Sequence, residues 1–136
     1  MKVHLKKIGN CKFECLNEDG QKVIMDGPPS IGGNNEGVRP MEMVLMGLAG
    51  CSAVDVIHIL NQGKIQLKDL IVDVIGDRVD GIPSVFNKIH LNFKAEGDFP
   101  VKKLERAVSL SMEKYCSVAK MLESSVEITF ESSLNN

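Results

Sequence analysis

From Val3 to Met25, hydrophobic and polar residues alternate with the two-residue period of half-buried strands. In Cys11–Leu16, Cys11, Phe13 and Cys15 share one face and Lys12 and Glu14 the other, and Asn17–Gly20 (NEDG) supplies a hairpin turn. Two or three antiparallel strands are therefore expected before residue 27. The run Gly27–Gly37 (GPPSIGGNNEG) is dense in turn formers and reads as a loop without regular structure, either mobile or shaped for a site.

After the loop the period lengthens. Pro40 suits the first position of a helix and Gly63 its C-terminal stop, which predicts a helix of about 23 residues. Beyond Lys68, Leu70–Val79 reads as a strand, Asp80–Pro83 (DGIP) as a turn and Ser84–Gly97 as a second strand. In that second strand Ile89, Leu91 and Phe93 oppose Lys88, His90, Asn92 and Lys94. Pro100 opens another helix whose apolar stripe is Val101, Leu104, Val108, Ser111 or Met112, and Tyr115, with a possible break near Cys116. Val126–Glu131 closes the chain as a strand. The order β-β-(β)-α-β-β-α-β makes an α+β domain with an antiparallel sheet.

In the first helix, apolar residues point in nearly every direction: Met43, Val44, Leu45, Met46 and Leu48, then Val54, Val56, Ile57, Ile59 and Leu60. A helix apolar all round is a buried one. At roughly 34 Å it is as long as a domain of this size is wide, so a partner subunit is the simplest cover for part of its surface. Its middle is a cluster of small residues, Gly47, Ala49, Gly50, Cys51, Ser52 and Ala53. Two interior glycines cost about 1 kcal/mol each relative to alanine. Either another backbone approaches closely there, or space is left around Cys51 for a substrate.

Length and charge narrow the class. The 136 residues suit one domain, 1–136, with a core that needs no staples. A net charge of −2 without a basic stripe argues against nucleic acid. The chain also has no cationic amphipathic segment, and its longest largely apolar run, Met43–Val54, falls short of the roughly 20 residues that span a bilayer, so no membrane partner is expected. The start, MKVHLKKIGN, lacks the apolar core of a signal peptide, and a cytoplasmic location is the default expectation. In that compartment Cys11, Cys15, Cys51 and Cys116 read as buried hydrophobes, metal ligands or reactive thiols before they read as a disulfide framework.

Cys51 attacks an electrophile only as a thiolate, and a mid-helix position draws little from the helix dipole. A cation must help, and of the three arginines, Arg39, Arg78 and Arg106, Arg39 stands just before the helix and is the first choice. Asp55 and His58 follow Cys51 at i+4 and i+7, but about 10 Å of helix between thiol and imidazole argues against a Cys/His/Asp hydrolase. His58 is then a core or interface residue. Cys116 is expected at the start of a short helix capped by Ser117, in a field that favours a thiolate. Together Cys51 and Cys116 make an attacking and a resolving thiol for two-step peroxide reduction. Cys11 and Cys15 lie about 13 Å apart along a strand, too far for a disulfide. With His4 or His90 they lack a second matching pair of metal ligands, so no metal and no cofactor are expected.

The segments RPMEMVLMGLAGCSAVDVI, DRVDGIPSVFNKIHLNF and SLSMEKYCSVAKML together resemble the OsmC/Ohr family of thiol-dependent hydroperoxide reductases, in particular its YhfA-like branch. The resemblance implies an intertwined homodimer of β3-α-β2-α-β chains with long buried central helices and active sites at the subunit interface. It implies that Cys51 is the peroxidatic cysteine and Cys116 the resolving one, with organic hydroperoxides as substrates and dithiols such as lipoyl groups as reductants. In well-studied members a glutamate directly follows the proline and joins an arginine from the N-terminal strands. Here Met41 follows Pro40, the acid is Glu42, and Arg39 is the first arginine of the chain. The readings from other classes are a non-catalytic small-molecule-binding module and a redox-sensing or sulfur-handling protein that uses Cys51 as acceptor.

Overall fold

The computed structural model describes all residues, Met1–Asn136. The chain divides into two compact units, Met1–Val44 and Leu45–Asn136.

The first unit is a three-stranded antiparallel sheet, β1 (Val3–Lys7), β2 (Lys12–Asn17) and β3 (Lys22–Asp26), in the order β1-β2-β3. The alternation read from the sequence sets its register, with Cys15 opposite Leu5 and Val23. Asn17 closes the turn after β2 by accepting, at its Oδ1, the N–H groups of Asp19 and Gln21. Phe13, Cys15, Val23 and Met25 are only half-buried. The sheet's apolar groove, about 340 Å³ and lined by Val3, Leu5, Cys15, Val23, Met25 and Met43, lies open.

The Gly27–Gly37 loop differs from its expectation in two ways. It contains a short 3-10 turn, Pro29–Ile31. It is also tied down by the buried Asp26 carboxylate, which accepts the N–H of Gly27 at 2.8 Å on one oxygen and those of Asn34 and Glu36, each at 3.1 Å, on the other. A Cβ on Gly33 would stand 1.7 Å from the Gly27 carbonyl oxygen, so the loop folds on itself only with glycine there.

Helix α1 runs Pro40–Gln62, with the bounds its proline and glycine predict. Within the second unit its buried residues are Leu48, Ser52, Val56 and Leu60, one row at i+4 spacing. Met46, Val54 and Ile57 stay 49%, 67% and 42% exposed, so the helix is apolar all round but buried on one stripe only. The 12-residue apolar run understated it: by length and composition α1 is long and apolar enough to cross a membrane, with mean hydropathy 1.9 over its best 18 residues, 22% of them buried. Small residues and single polar ones at the waist and ends interrupt the run in sequence without interrupting the helix.

Strands β4 (Asp69–Arg78) and β5 (Phe86–Glu96) form the expected hairpin. Ile89, Leu91, Phe93 and Ala95 of β5 are buried with Leu104, Ala107 and Val108 of α2 (Val101–Leu110) as the core. Leu45 of α1 lies over Gly76 of β4, where a Cβ would meet its Cδ2 at 3.2 Å and the Phe86 ring at 2.6 Å. The last strand, β6 (Glu127–Asn135), pairs with β5 in parallel, so the sheet β4-β5-β6 is mixed rather than antiparallel. The reason is the helical connection: a chain that leaves β5, crosses as helix and returns to the neighbouring edge runs in the original direction.

Between α2 and α3 (Ser117–Leu122) the helix widens into a π-turn, Ser111–Tyr115, and breaks at Cys116. Leu104, Val108, Ser111 and Met112 of the expected stripe are buried, with Ala107 beside them, whereas Val101 in the first turn of α2 is 44% exposed and Tyr115 at the end of the wider turn is 50% exposed.

Candidate functional site

Two elements of the second unit converge on one cluster. Helix α1 presents Cys51 and Asp55 one turn apart on one face, and the break after the π-turn presents Cys116. The two sulfurs and a carboxylate oxygen of Asp55 all lie within 4.8 Å of one another. Cys51 and Asp55 are half-buried and Cys116 is buried; all four cysteines are free thiols.

Ser111 ties the elements together. Its buried Oγ donates to the Ser52 carbonyl at 3.1 Å and lies 3.4 Å from Asp55 Oδ2. One hydroxyl proton serves the shorter bond, so Asp55 faces the two sulfurs with no committed donor and no ion pair. Such π-turns recur at functional sites because the extra residue re-aims the chain. Here it lets the Cys116 N–H reach the Ser111 carbonyl at 2.7 Å and turns the thiol inward.

Cys116 itself is the N-cap of α3, with its sulfur accepting the Ala119 N–H at 3.5 Å; Ser117, expected as the cap, is the first helical residue. The favourable field expected for this thiol is outweighed. Burial pushes it up to about 11, the Cys51 thiol beside it adds to the rise, and the backbone donors Ala119 and Val118 recover only part. Cys116 is therefore held as a neutral thiol at physiological pH.

Arg39 and Glu42 are placed at the start of α1. Glu42 Oε1 accepts the Arg39 N–H at 2.7 Å, the back-half of a capping box with the acid at the third helical position. The Arg39 guanidinium donates to the Asp26 carbonyl at 3.0 Å and to Asn35 Oδ1. The acid at Glu42 thus has a local structural reason to sit one place after Met41. His58, expected in a core or an interface, is exposed in the chain. Gly47 and Gly50 have nothing within 4 Å of where a Cβ would be, so no element of the same chain approaches them.

The sequence places Asp55 at i+4 from Cys51, but only within a Cys/His/Asp arrangement with His58; the structure brings it to the two thiols instead. Asp26 carries no reading from the sequence, although an acid directly before a glycine- and proline-rich loop is well placed to collect that loop's N–H groups.

The family model for "OsmC-like protein" matches residues 33–131. Protein YhfA of Escherichia coli (strain K12) is 39% identical over 130 residues, 95% of this chain and 94% of its own. A solved structure of a hypothetical protein from Aquifex aeolicus VF5 is 31% identical with a TM-score of 0.83, covering 99% of this chain and 97% of that one. An organic hydroperoxide resistance protein from Legionella pneumophila is 20% identical with a TM-score of 0.73, covering 97% and 95%, and shares the fold. With one thiol on the long helix α1 and the other at the break after the π-turn, and with similarity along nearly its whole length to such relatives, this chain belongs to the OsmC-like protein family.

Proposed function

We propose that the protein is a thiol-dependent reductase of organic hydroperoxides. The observation that carries the reading is that two free cysteines 65 positions apart in sequence meet beside a carboxylate. Cys51, the more exposed thiol, attacks the hydroperoxide: its thiolate sulfur bonds to the terminal oxygen, the O–O bond breaks, and the alkoxide leaves and takes a proton. Cys116 then attacks the sulfur of the Cys51 sulfenic acid, forming the disulfide and releasing water, while Asp55 is placed to accept the thiol proton. Two equivalents of an external thiol, or one dithiol of lipoyl type, reduce the disulfide and are themselves oxidised.

The reading includes a cytoplasmic homodimer. The homodimer is supported by the uncovered apolar surface of α1, by the open groove of the first sheet, and by Gly47 and Gly50, whose cost to the helix has no return within one chain. Arg39 and Glu42 enter as the pair that fixes the start of α1 on its loop; a cationic role for Arg39 toward the thiolate is a separate claim with its own variant, R39A.

Steady-state turnover tests the function. Cumene hydroperoxide should be consumed at the expense of dihydrolipoamide by the wild-type protein and not by Cys51→Ser. Formation of one disulfide per chain without turnover under any thiol or dithiol would instead indicate a redox sensor, and peroxide loss at equal rates in both proteins would overturn the reading.

A further inference from the structure

Cys51, Asp55 and Cys116 form the one group of three metal-ligating side chains whose ligand atoms meet, each within 4.8 Å of the other two. We propose that this cluster is a binding site for a soft divalent d10 cation of the Zn²⁺/Cd²⁺ class, held by two thiolates and one carboxylate. The site goes beyond the hydroperoxide reading and does not depend on it, although the two share residues.

The donor set selects the metal. Two thiolates favour Zn²⁺ or Cd²⁺ over Mg²⁺ or Ca²⁺, which take oxygen ligands. Tetrahedral zinc with bonds of about 2.3 Å to sulfur and about 2.0 Å to oxygen needs ligand atoms roughly 3.5–3.8 Å apart. The cluster is thus within about 1 Å of ligating geometry, and small side-chain rotations of the half-buried Cys51 and Asp55 close it. Those two residues stand at i and i+4, a spacing that lets two side chains on a helix share one ion. Asp55 has no competing ion pair to give up, and the Ser111 hydroxyl, 3.4 Å from Asp55 Oδ2, becomes an outer partner for the ligating carboxylate if its one proton turns from the Ser52 carbonyl to Asp55. Three protein ligands leave a fourth position for water or an exogenous thiol, and the half-exposed side of Cys51 and Asp55 is the route in.

Binding converts two thiols and a carboxylate into a dithiolate–carboxylate complex and releases two protons, with no change of oxidation state. The metal then occupies both sulfurs that peroxide chemistry would use. Metal and hydroperoxide therefore compete, and the disulfide form has no thiolates to offer.

The test uses the full chain with Cys11→Ser and Cys15→Ser, so that only the paired thiols respond. Reduced, metal-free protein titrated with CdCl2 in the absence of oxygen should develop the ultraviolet thiolate-to-cadmium band to a plateau at one equivalent per chain, reversed by excess ZnCl2. D55N should weaken binding by roughly tenfold or more, as for other ligand-shell losses, and Cys116→Ser should remove the plateau. One equivalent of ZnCl2 should also raise the melting temperature and shield Cys51 from alkylation. No band, a band that D55N leaves equally tight, or no shielding of Cys51 overturns the site; the shielding measurement needs no variant at these three positions and stands if D55N misfolds. Disulfide formation in the metal-free protein is scored separately, so a chain that binds metal but ignores peroxide, or the reverse, tells the two claims apart.

Discussion

Two carboxylates, the buried Asp26 and the half-buried Asp55, show what separates a structural acid from a chemical one. Asp26 follows the last strand of the first sheet and spends both oxygens on three backbone N–H groups of its own loop. Burial alone would work against its charge, yet the N–H groups of Glu36, Asn34 and Gly27, helped by Lys12, hold it below its ordinary value of 3.8. Asp55 faces two sulfurs and has only a shared hydroxyl at 3.4 Å. A fully engaged carboxylate has no capacity left for a proton or a ligand; an unengaged one beside a thiol pair does. The lesson is that the reactive candidate is recognised by its unused valence more than by its burial.

The comparison breaks most sharply if the two acids are exchanged for amides. D55N should slow the condensation of the Cys51 sulfenic acid with Cys116 by about 100-fold or more, the usual loss when a general base is removed, and leave the melting temperature close to wild type. Stopped-flow thiol loss after a single peroxide addition measures the first, and thermal denaturation the second. D26N should do the opposite: it melts several degrees lower because an amide cannot accept three N–H groups as a carboxylate does, while the thiol step keeps its rate.

A pH series sharpens the same contrast. Because the folded Asp26 titrates below its ordinary value, the stability it contributes is complete above 3.8 and is lost as the pH falls through the lower folded value. The melting temperature of the wild type should therefore drop more steeply below pH 3.8 than that of D26N.

Smaller effects concern the faces of α1. In an isolated chain Gly47→Ala and Gly50→Ala should each stabilise the helix by about 1 kcal/mol, since an added Cβ meets nothing. In the proposed homodimer the same substitutions should weaken association, which sedimentation at falling concentration reads directly. The smallest effect is expected from R39A: it frees Asn35 and the Asp26 carbonyl and loosens the loop, and a peroxide rate within a few-fold of wild type would confine Arg39 to that role.

How much of this could be read beforehand follows from the range of the interactions. The bounds of α1 were written locally, in Pro40 and Gly63, and the strands in their period-two alternation. The direction of β6 was not, because parallel pairing depends on how the helical crossover returns and not on the composition of Val126–Glu131. The pairing of Cys51 with Cys116 was legible as a chemical possibility. The way it is made was hidden, since the π-turn at Ser111–Tyr115 has no local signature in SMEKY and moved the cap from Ser117 to Cys116 itself. Burial of Cys116 and the idle valence of Asp55 arise from tertiary packing, which propensity and spacing do not contain.

The most direct test treats the reduced, metal-free protein with one equivalent of cumene hydroperoxide and maps its peptides by mass. A disulfide joining the Cys51 and Cys116 peptides, absent in Cys51→Ser and erased by dihydrolipoamide, is the predicted result. Thiols that stay unmodified, or a disulfide that instead involves Cys11 or Cys15, would contradict the account.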